Sequence, residues 1–267
     1  MMRGVSLLRS AALTACAALA SLSVAGAQTP SERPAPAAAV PPACEVVIER
    51  ARLDVRLTGT ARKIADRLPI TIVALGSSST YGFGASSPAA SYPSQLAEDL
   101  ARRFPGHSIR VLNRGLLNDE APQTLARLDR DVFAAQPDLI LWQVGTNALL
   151  RNVPLRIEAL ERGLSRMKRS GADIVLIDPQ FAPRVIARRD AERMVSFIAQ
   201  VAASEHVGLF RRYELMRQWH ETERLPLHAF LWSDGLHMND WSYACLGKWI
   251  GAAIAEAATR PAVAAAR

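Results

Sequence analysis

Aromatic residues are scarce in this chain, 6% of 267 residues, and offer no obvious carbohydrate-binding platform or added module. Cysteine occurs three times, never in a plausible Cys-His pair. There is no metal-ligand cluster, no P-loop and no dinucleotide fingerprint, so no cofactor is implied. No segment repeats at solenoid or propeller spacing. The formal charge is +7 with a pI near 9.9, yet no basic run with interleaved aromatics exists. The basic residues are scattered, as in Arg102-Arg103, Arg188-Arg189 and Arg211-Arg212. That pattern describes a solvated basic surface rather than a nucleic-acid site. Weak attraction to an anionic polymer or membrane surface stays open. What is present is 49% hydrophobic and 21% charged, enough apolar material for one sizeable core.

The N-terminus has a distinct composition. Met1 to Arg9 carries two arginines and no acid, Ala11 to Val24 is apolar, and Ala25-Gly26-Ala27 supplies small residues before Gln28. This is the pattern of a secretory signal peptide over residues 1–27. The apolar run is short for a membrane span, so no stable span is expected. Leu13-Thr14-Ala15-Cys16 also resembles a lipoprotein box, but Arg9 leaves only about six uncharged residues before Cys16, short for the apolar region such a signal needs. Residues 28–43 are rich in Pro and Ala without hydrophobic periodicity and read as a linker. Residues 44–258 form the domain, and 259–267 read as a disordered tail. A periplasmic or secreted location follows. Cleavage would leave Cys44 and Cys245, and two cysteines in an oxidising compartment commonly pair. A disulfide joining the two ends of the domain is expected; two buried free thiols are the alternative.

Within the domain, short apolar runs alternate with helical patterns. Thr71–Leu75, Ser108–Leu112, Asp138–Trp142, Asp173–Ile177 and Val207–Phe210 read as buried strands. Tyr92–Phe104, Ala121–Ala135, Leu155–Lys168 and Ala187–Ser204 read as amphipathic helices, with one more inside 45–68 and a last one over Trp241–Ala257. Continuous apolar strands alternating with helices imply an α/β domain with a parallel sheet covered on both faces. Ligands then bind beyond the carboxyl ends of the strands. Those ends read Gly76-Ser77-Ser78, Asn113-Arg114-Gly115, Gly145-Thr146-Asn147 and Asp178-Pro179-Gln180.

Acyl transfer needs a hydroxyl, a base to activate it, a carboxylate to orient the base, and donors for the oxyanion. Ser78 follows a buried strand and a glycine and precedes the loop Tyr81-Gly82-Phe83-Gly84. Of the five histidines, only His237 has a carboxylate at a useful spacing, Asp234, in a Gly-containing turn before the last helix. Each feature alone has a plain structural explanation, a turn serine or an Asx-turn.

Together and in order, Gly76-Ser77-Ser78, Asn113-Arg114-Gly115, Gly145-Thr146-Asn147 and Asp234-Gly235-Leu236-His237 resemble the four blocks of the SGNH hydrolases, the GDSL-like esterases and lipases. The resemblance spans about residues 70–249. It implies a three-layer α/β/α sandwich, flavodoxin-like, with a five-stranded parallel sheet. It also implies Ser78 as nucleophile, His237 as base and then acid, and Asp234 as its orienting carboxylate. The oxyanion hole implied is the Ser78 and Gly115 backbone N–H groups with the Asn147 amide. Two positions depart from the family pattern: Ser77 and Ala148 stand where Asp is common, so a neutral hydrogen-bond network is expected in place of two carboxylates. Trp232 could line the acyl pocket or sit in the core, and Gln180 and Phe181 are expected on the rim. The function implied is an exported serine esterase acting on a small acyl, acetyl first, of a small ester or acylated saccharide. An O-acyltransferase using a sugar hydroxyl, or a non-catalytic saccharide-binding relative, are the competing readings.

Overall fold

The computed structural model describes residues 44–153 and 156–261. The expected signal peptide and residues 28–43 of the linker lie outside the described residues, as do 262–267 of the expected tail. Strands β1 (Ile70–Gly76), β2 (Ile109–Gly115), β3 (Leu139–Gln143), β4 (Asp173–Ile177) and β5 (Gly208–Phe210) form one sheet in the order β2-β1-β3-β4-β5. Every pairing is parallel. β3 is buried at every residue and β1 at all but Thr71, so both faces of the sheet are covered by helices. That is why these strands are unbroken Val, Ile, Leu and Ala runs rather than alternating ones. β2 is one of the two edges, and it carries the exposed Arg110 and Arg114, charges that discourage pairing with another strand.

The strand order locates the site. From β1 the chain goes to β2 on one side, then returns to β3 on the other. The crevice between β1 and β3 is thus the switch point where connections diverge, and it opens at the carboxyl ends. Gly76 ends β1 and Gln143 ends β3, so Ser78 and Asn147 emerge on either side of that crevice.

Helices α1 (Thr58–Ala65), α2 (Ser78–Tyr81), α3 (Tyr92–Arg103), α4 (Ala121–Ala126), α5 (Thr146–Leu150), α6 (Ile157–Arg169), α7 (Ala191–Ser204), α8 (Arg212–Glu221) and α9 (Asp240–Thr259) complete the architecture, with shorter turns between them. Two expected helices are broken. The segment 45–68 contains a single turn, Ile48–Ala51, and then α1, whose first amides are held by the Asp173 side chain at 3.3 and 2.7 Å from Gly59 and Thr60 N. The segment 121–135 breaks at Arg127, which leaves helical geometry (φ −113, ψ 7) and turns its guanidinium inward. α9 packs closely on α3 because Gly247 and Gly251, four residues apart on one face, leave room. A Cβ on Gly247 would lie 2.7 Å from Leu96 N, and one on Gly251 2.1 Å from Asp99 Oδ2. Among the described residues no helix is long and apolar enough to cross a membrane.

Cys44 and Cys245 are joined by a disulfide, with Cα atoms 5.6 Å apart and a sequence separation of 201. It ties the start of the domain to α9, and Lys248 Nζ adds a 2.9 Å hydrogen bond to Cys44 O. Closing so long a loop restricts the unfolded chain, an effect of about 2–5 kcal/mol. Reduction is therefore expected to lower the melting temperature by several degrees. Unchanged melting under reductant, or two free thiols in a non-reducing mass spectrum, would contradict the bond.

Candidate active site

Ser78 opens α2 directly after β1, with Ser77 in extended geometry before it and Gly82 in the left-handed region (φ +101) closing the turn. The Ser78 carbonyl accepts from Gly82 N and Phe83 N at 3.0 and 2.9 Å, which fixes this one-turn helix. On the other side, residues 231–239 form a small hairpin. Leu231 and Met238 make an antiparallel bridge, Trp232 N donates to His237 O at 2.8 Å, and Gly235 supplies the turn at φ +66. Inside the turn Asp234 Oδ1 accepts from Leu236 N and His237 N at 3.0 and 2.9 Å. The Asp-x-x-His spacing therefore builds its own cradle: one carboxylate oxygen clasps the turn and the other faces the imidazole.

That second oxygen, Asp234 Oδ2, is 2.5 Å from His237 Nδ1, and His237 Nε2 is 2.8 Å from Ser78 Oγ. An ionised carboxylate only accepts, so the proton sits on Nδ1 and Nε2 is left to accept from the Ser78 hydroxyl. Partial burial pushes the Asp234 carboxyl up, but the hydrogen bonds from the His237 ring and from His237 and Leu236 N–H outweigh it. The net effect holds Asp234 below its ordinary range, ionised at neutral pH.

The surroundings expected to hold an oxyanion are mixed. Asn147 lies in the first turn of α5, and its Nδ2 donates to Asp119 O at 3.0 Å. One of its two amide hydrogens is so employed, which orients the side chain and leaves the other free to donate. Gly115 is the last residue of β2, register partner of Gly76, and β2 runs three residues longer than its apolar pattern. Its N–H donates to Asn113 Oδ1 at 2.9 Å, and a Cβ there would lie 2.1 Å from Tyr81 N. Glycine is required at 115 for the close approach of β2 to α2, and its amide is already engaged. Arg127, buried, braces this side. It donates to Asp119 Oδ2 at 2.6 Å, Asp131 Oδ2 at 2.9 Å and Gly76 O at 3.3 Å, joining the end of β1 to the loop beneath Asn147.

Around the two departures, Ser77 and Ala148, the hydrogen bonds run between neutral side chains, with Arg212 as their one charged donor. Ser77 N and Oγ both donate to Gln143 Oε1, at 3.0 and 2.8 Å. Thr146 Oγ1 donates to Gln180 Oε1 at 2.9 Å, and Gln180 Nε2 donates to Leu236 O in the His237 hairpin at 3.3 Å. Gln180 also accepts from Arg212 Nη2 at 2.9 Å. Ala148 is buried without a polar side chain. Gln180 and Phe181, expected on the rim, are buried instead; Gln180, just after β4, bridges the start of α5 and the hairpin. Trp232, by contrast, is exposed, its ring edge-on to Phe83. Sequence reasoning missed Gln143, Arg127 and Arg212. Gln143, at a strand's carboxyl end, could have been flagged by position; Arg212 looks like half of an exposed basic pair.

Comparison with known proteins gives one family. The model of the non-GDSL lipase-like family matches residues 43–260. An arylesterase of Vibrio mimicus is 28% identical over 121 residues, 45% of this chain and 59% of that protein. Among solved structures, a two-domain esterase active on acetylated mannans matches with a TM-score of 0.66 at 19% identity, over 80% of this chain and 58% of that one. An acetylxylan esterase from Geobacillus stearothermophilus, seen as a catalytic mutant, matches with a TM-score of 0.58 at 18% identity, over 70% of this chain and 96% of that one. The lipase/acylhydrolase from Enterococcus faecalis matches with a TM-score of 0.54 at 23% identity, over 68% and 93%. The chain thus spans just under three fifths of the length of the arylesterase and of the mannan esterase. The solved structures bear out the fold expected from the motifs.

The buried network also titrates. Asp178, at the end of β4, accepts from Tyr213 N at 2.9 Å, and its carbonyl accepts from Arg212 Nε at 3.0 Å. Burial pushes the Asp178 carboxyl up to about 7, against the opposing pull of the Tyr213 N–H and the Arg212 charge. A carboxyl raised from 3.8 to about 7 keeps a proton in the native state that the unfolded chain has lost. Its contribution to stability is full below about pH 4 and drains away as pH rises to about 7. Asp178→Asn should remove that slope. Urea unfolding at several pH values across the window checks it; identical slopes in both proteins would contradict the assignment.

Proposed function

The chain belongs to the non-GDSL lipase-like family, and on that premise we propose that it is an exported serine esterase that removes a small acyl group, acetyl foremost, from a saccharide or similar ester. The observation that carries the reading is the contact chain from Ser78 Oγ through His237 Nε2 and Nδ1 to Asp234 Oδ2, at 2.8 and 2.5 Å. It brings a hydroxyl, a base and an orienting carboxylate within hydrogen-bond reach at the mouth of the β1/β3 crevice.

In the mechanism, His237 Nε2 takes the Ser78 proton as Oγ attacks the ester carbonyl. The oxyanion is held by the Ser78 N–H and the free hydrogen of the Asn147 amide. Gly115 N–H joins them only if it leaves Asn113 Oδ1, so its assigned role here is to let β2 lie against α2. His237 then gives its proton to the departing alcohol oxygen as the ester C–O bond breaks. A water attacks the acyl-Ser78 ester, loses its proton to His237, and Ser78 leaves with that proton. Asp234, held ionised, stabilises the imidazolium at both steps.

Support for acetyl esters comes from the folds of two esterases, one active on acetylated mannans and one on acetylxylan. Support for export comes from the Cys44–Cys245 disulfide, a bond that persists in oxidising compartments, and from the expected signal sequence. Periplasm or external medium is the assigned location.

Ser78→Ala and His237→Ala are each expected to reduce kcat on p-nitrophenyl acetate by about 10⁴-fold or more with the fold retained. Asn147→Ala is expected to cost about 10²–10³-fold. A folded Ser78→Ala protein with wild-type turnover would defeat the reading.

A further inference from the structure

Although aromatic residues are scarce in the chain, two of the exposed ones stand together beside His237. In the hairpin, Trp232 lies opposite His237, its N–H donating to the His237 carbonyl at 2.8 Å. Residues opposed across an antiparallel pair project to the same face. Phe83 fills the angle between them, with its ring centroid 4.6 Å from the imidazole at a 49° tilt and 5.5 Å from Trp232, nearly perpendicular. Trp232 remains 42% exposed and Phe83 37%. Both rings therefore present uncovered surface next to the imidazole.

This pair is firmly held. The Phe83 carbonyl accepts from the buried Tyr243 hydroxyl at 2.7 Å, and Phe83 N is bound to Ser78 O. Gly84 follows at φ +91, pressed against the hairpin so closely that a Cβ would lie 2.6 Å from Met238 O and 3.1 Å from Trp232 Cβ. Beyond it, Ser86 N and Oγ clamp the Asp240 carboxylate at 2.7 and 2.5 Å. A backbone fixed in this way keeps the two rings at one place beside the hairpin, so no loop has to be ordered when a ligand meets them.

Position decides which half of the substrate they meet. His237 Nε2 must lie within about 3 Å of the alcohol oxygen it protonates. The Phe83 ring lies against that same imidazole and Trp232 lies against Phe83, so an alcohol held at Nε2 has these two rings as its aromatic neighbours. Asn147, the oxyanion donor of the proposed mechanism, comes from α5 after β3, an element separate from the hairpin and the Phe83 loop. We infer that Phe83 and Trp232 form the leaving-alcohol subsite and select esters whose alcohol oxygen is borne on a six-membered ring, pyranose or aryl, over those of open-chain alcohols. A pyranose offers its C–H face and an aryl ring its edge or face to the same two aromatic surfaces. This inference rests on the esterase reading above and deepens it.

The test compares kcat/KM for phenyl acetate, an acetylated methyl xyloside and ethyl acetate in wild type, Trp232→Leu and Trp232→Phe, with melting curves to establish folding. For Trp232→Leu, the ratio of ring-ester to ethyl acetate activity should fall about tenfold, roughly the worth of one lost aromatic contact. Trp232→Phe should recover most of it. A fall on both ring esters supports the shared subsite; a fall on one alone identifies the ring the subsite prefers. An equal change on all three substrates, or an unchanged ratio, overturns it. If Trp232→Leu fails to fold, Phe83→Leu is measured in the same way. Should Ser78→Ala keep wild-type activity on all three, the esterase reading itself fails, a result distinct from an unchanged ratio in an enzyme that depends on Ser78.

Discussion

The hydrogen bond from Ser78 to His237 spans 159 positions of sequence, and the rest of the structure serves to close that gap. Ser78 is delivered by β1, the second strand from the β2 edge, buried on both faces. His237 is delivered by a hairpin whose end is locked onto α9 through the Asn239 cap, whose side chain accepts from Ser242 N at 3.1 Å. α9 in turn lies on α3 through its glycine face and is tied to the start of the domain by Cys44–Cys245. A loosening at any of these contacts would move the imidazole relative to the hydroxyl. Hydrogen-bond distance to a proton acceptor tolerates little of that.

A second, hidden connection runs beneath the site. The Ser77 to Gln143 contact and the Thr146–Gln180–Leu236 contacts place neutral side chains along the path from the Ser78 turn to the His237 hairpin. Buried polar groups are costly unless satisfied, and once satisfied they specify one arrangement. Here they do so with amide and hydroxyl groups at Ser77, Gln143, Thr146 and Gln180. A buried carboxyl, Asp178, lies at the end of β4, its backbone carbonyl bound by Arg212. Asp234 is the carboxylate bound to the His237 ring.

Much of this was legible in the sequence where the signal is local. Asp234 and His237 lie three residues apart in one turn, and the turn's own N–H groups complete their geometry. Strands β1, β3 and β4 announced themselves as unbroken apolar runs because both their faces are covered. What escaped depends on contacts that neither periodicity nor a motif records, most of them distant in sequence. Arg127 breaks an apparently continuous helix because its guanidinium is called to Asp119 and Gly76, which no helical periodicity records. Gly115 carries the right residue type, but its amide is taken by Asn113, two positions away on the same strand, a detail of backbone placement. Gln180 reads as a rim residue from its place after β4 and turns out to be a buried bridge.

The central claim is that Ser78 becomes covalently acylated during turnover. Acid-quenching the protein within the first turnover of p-nitrophenyl acetate, followed by peptide mass spectrometry, reads this directly. An acetyl adduct on the peptide containing Ser78, absent from Ser78→Ala, is the predicted result. Turnover with no adduct on that peptide, or an adduct that persists in Ser78→Ala, would contradict the account.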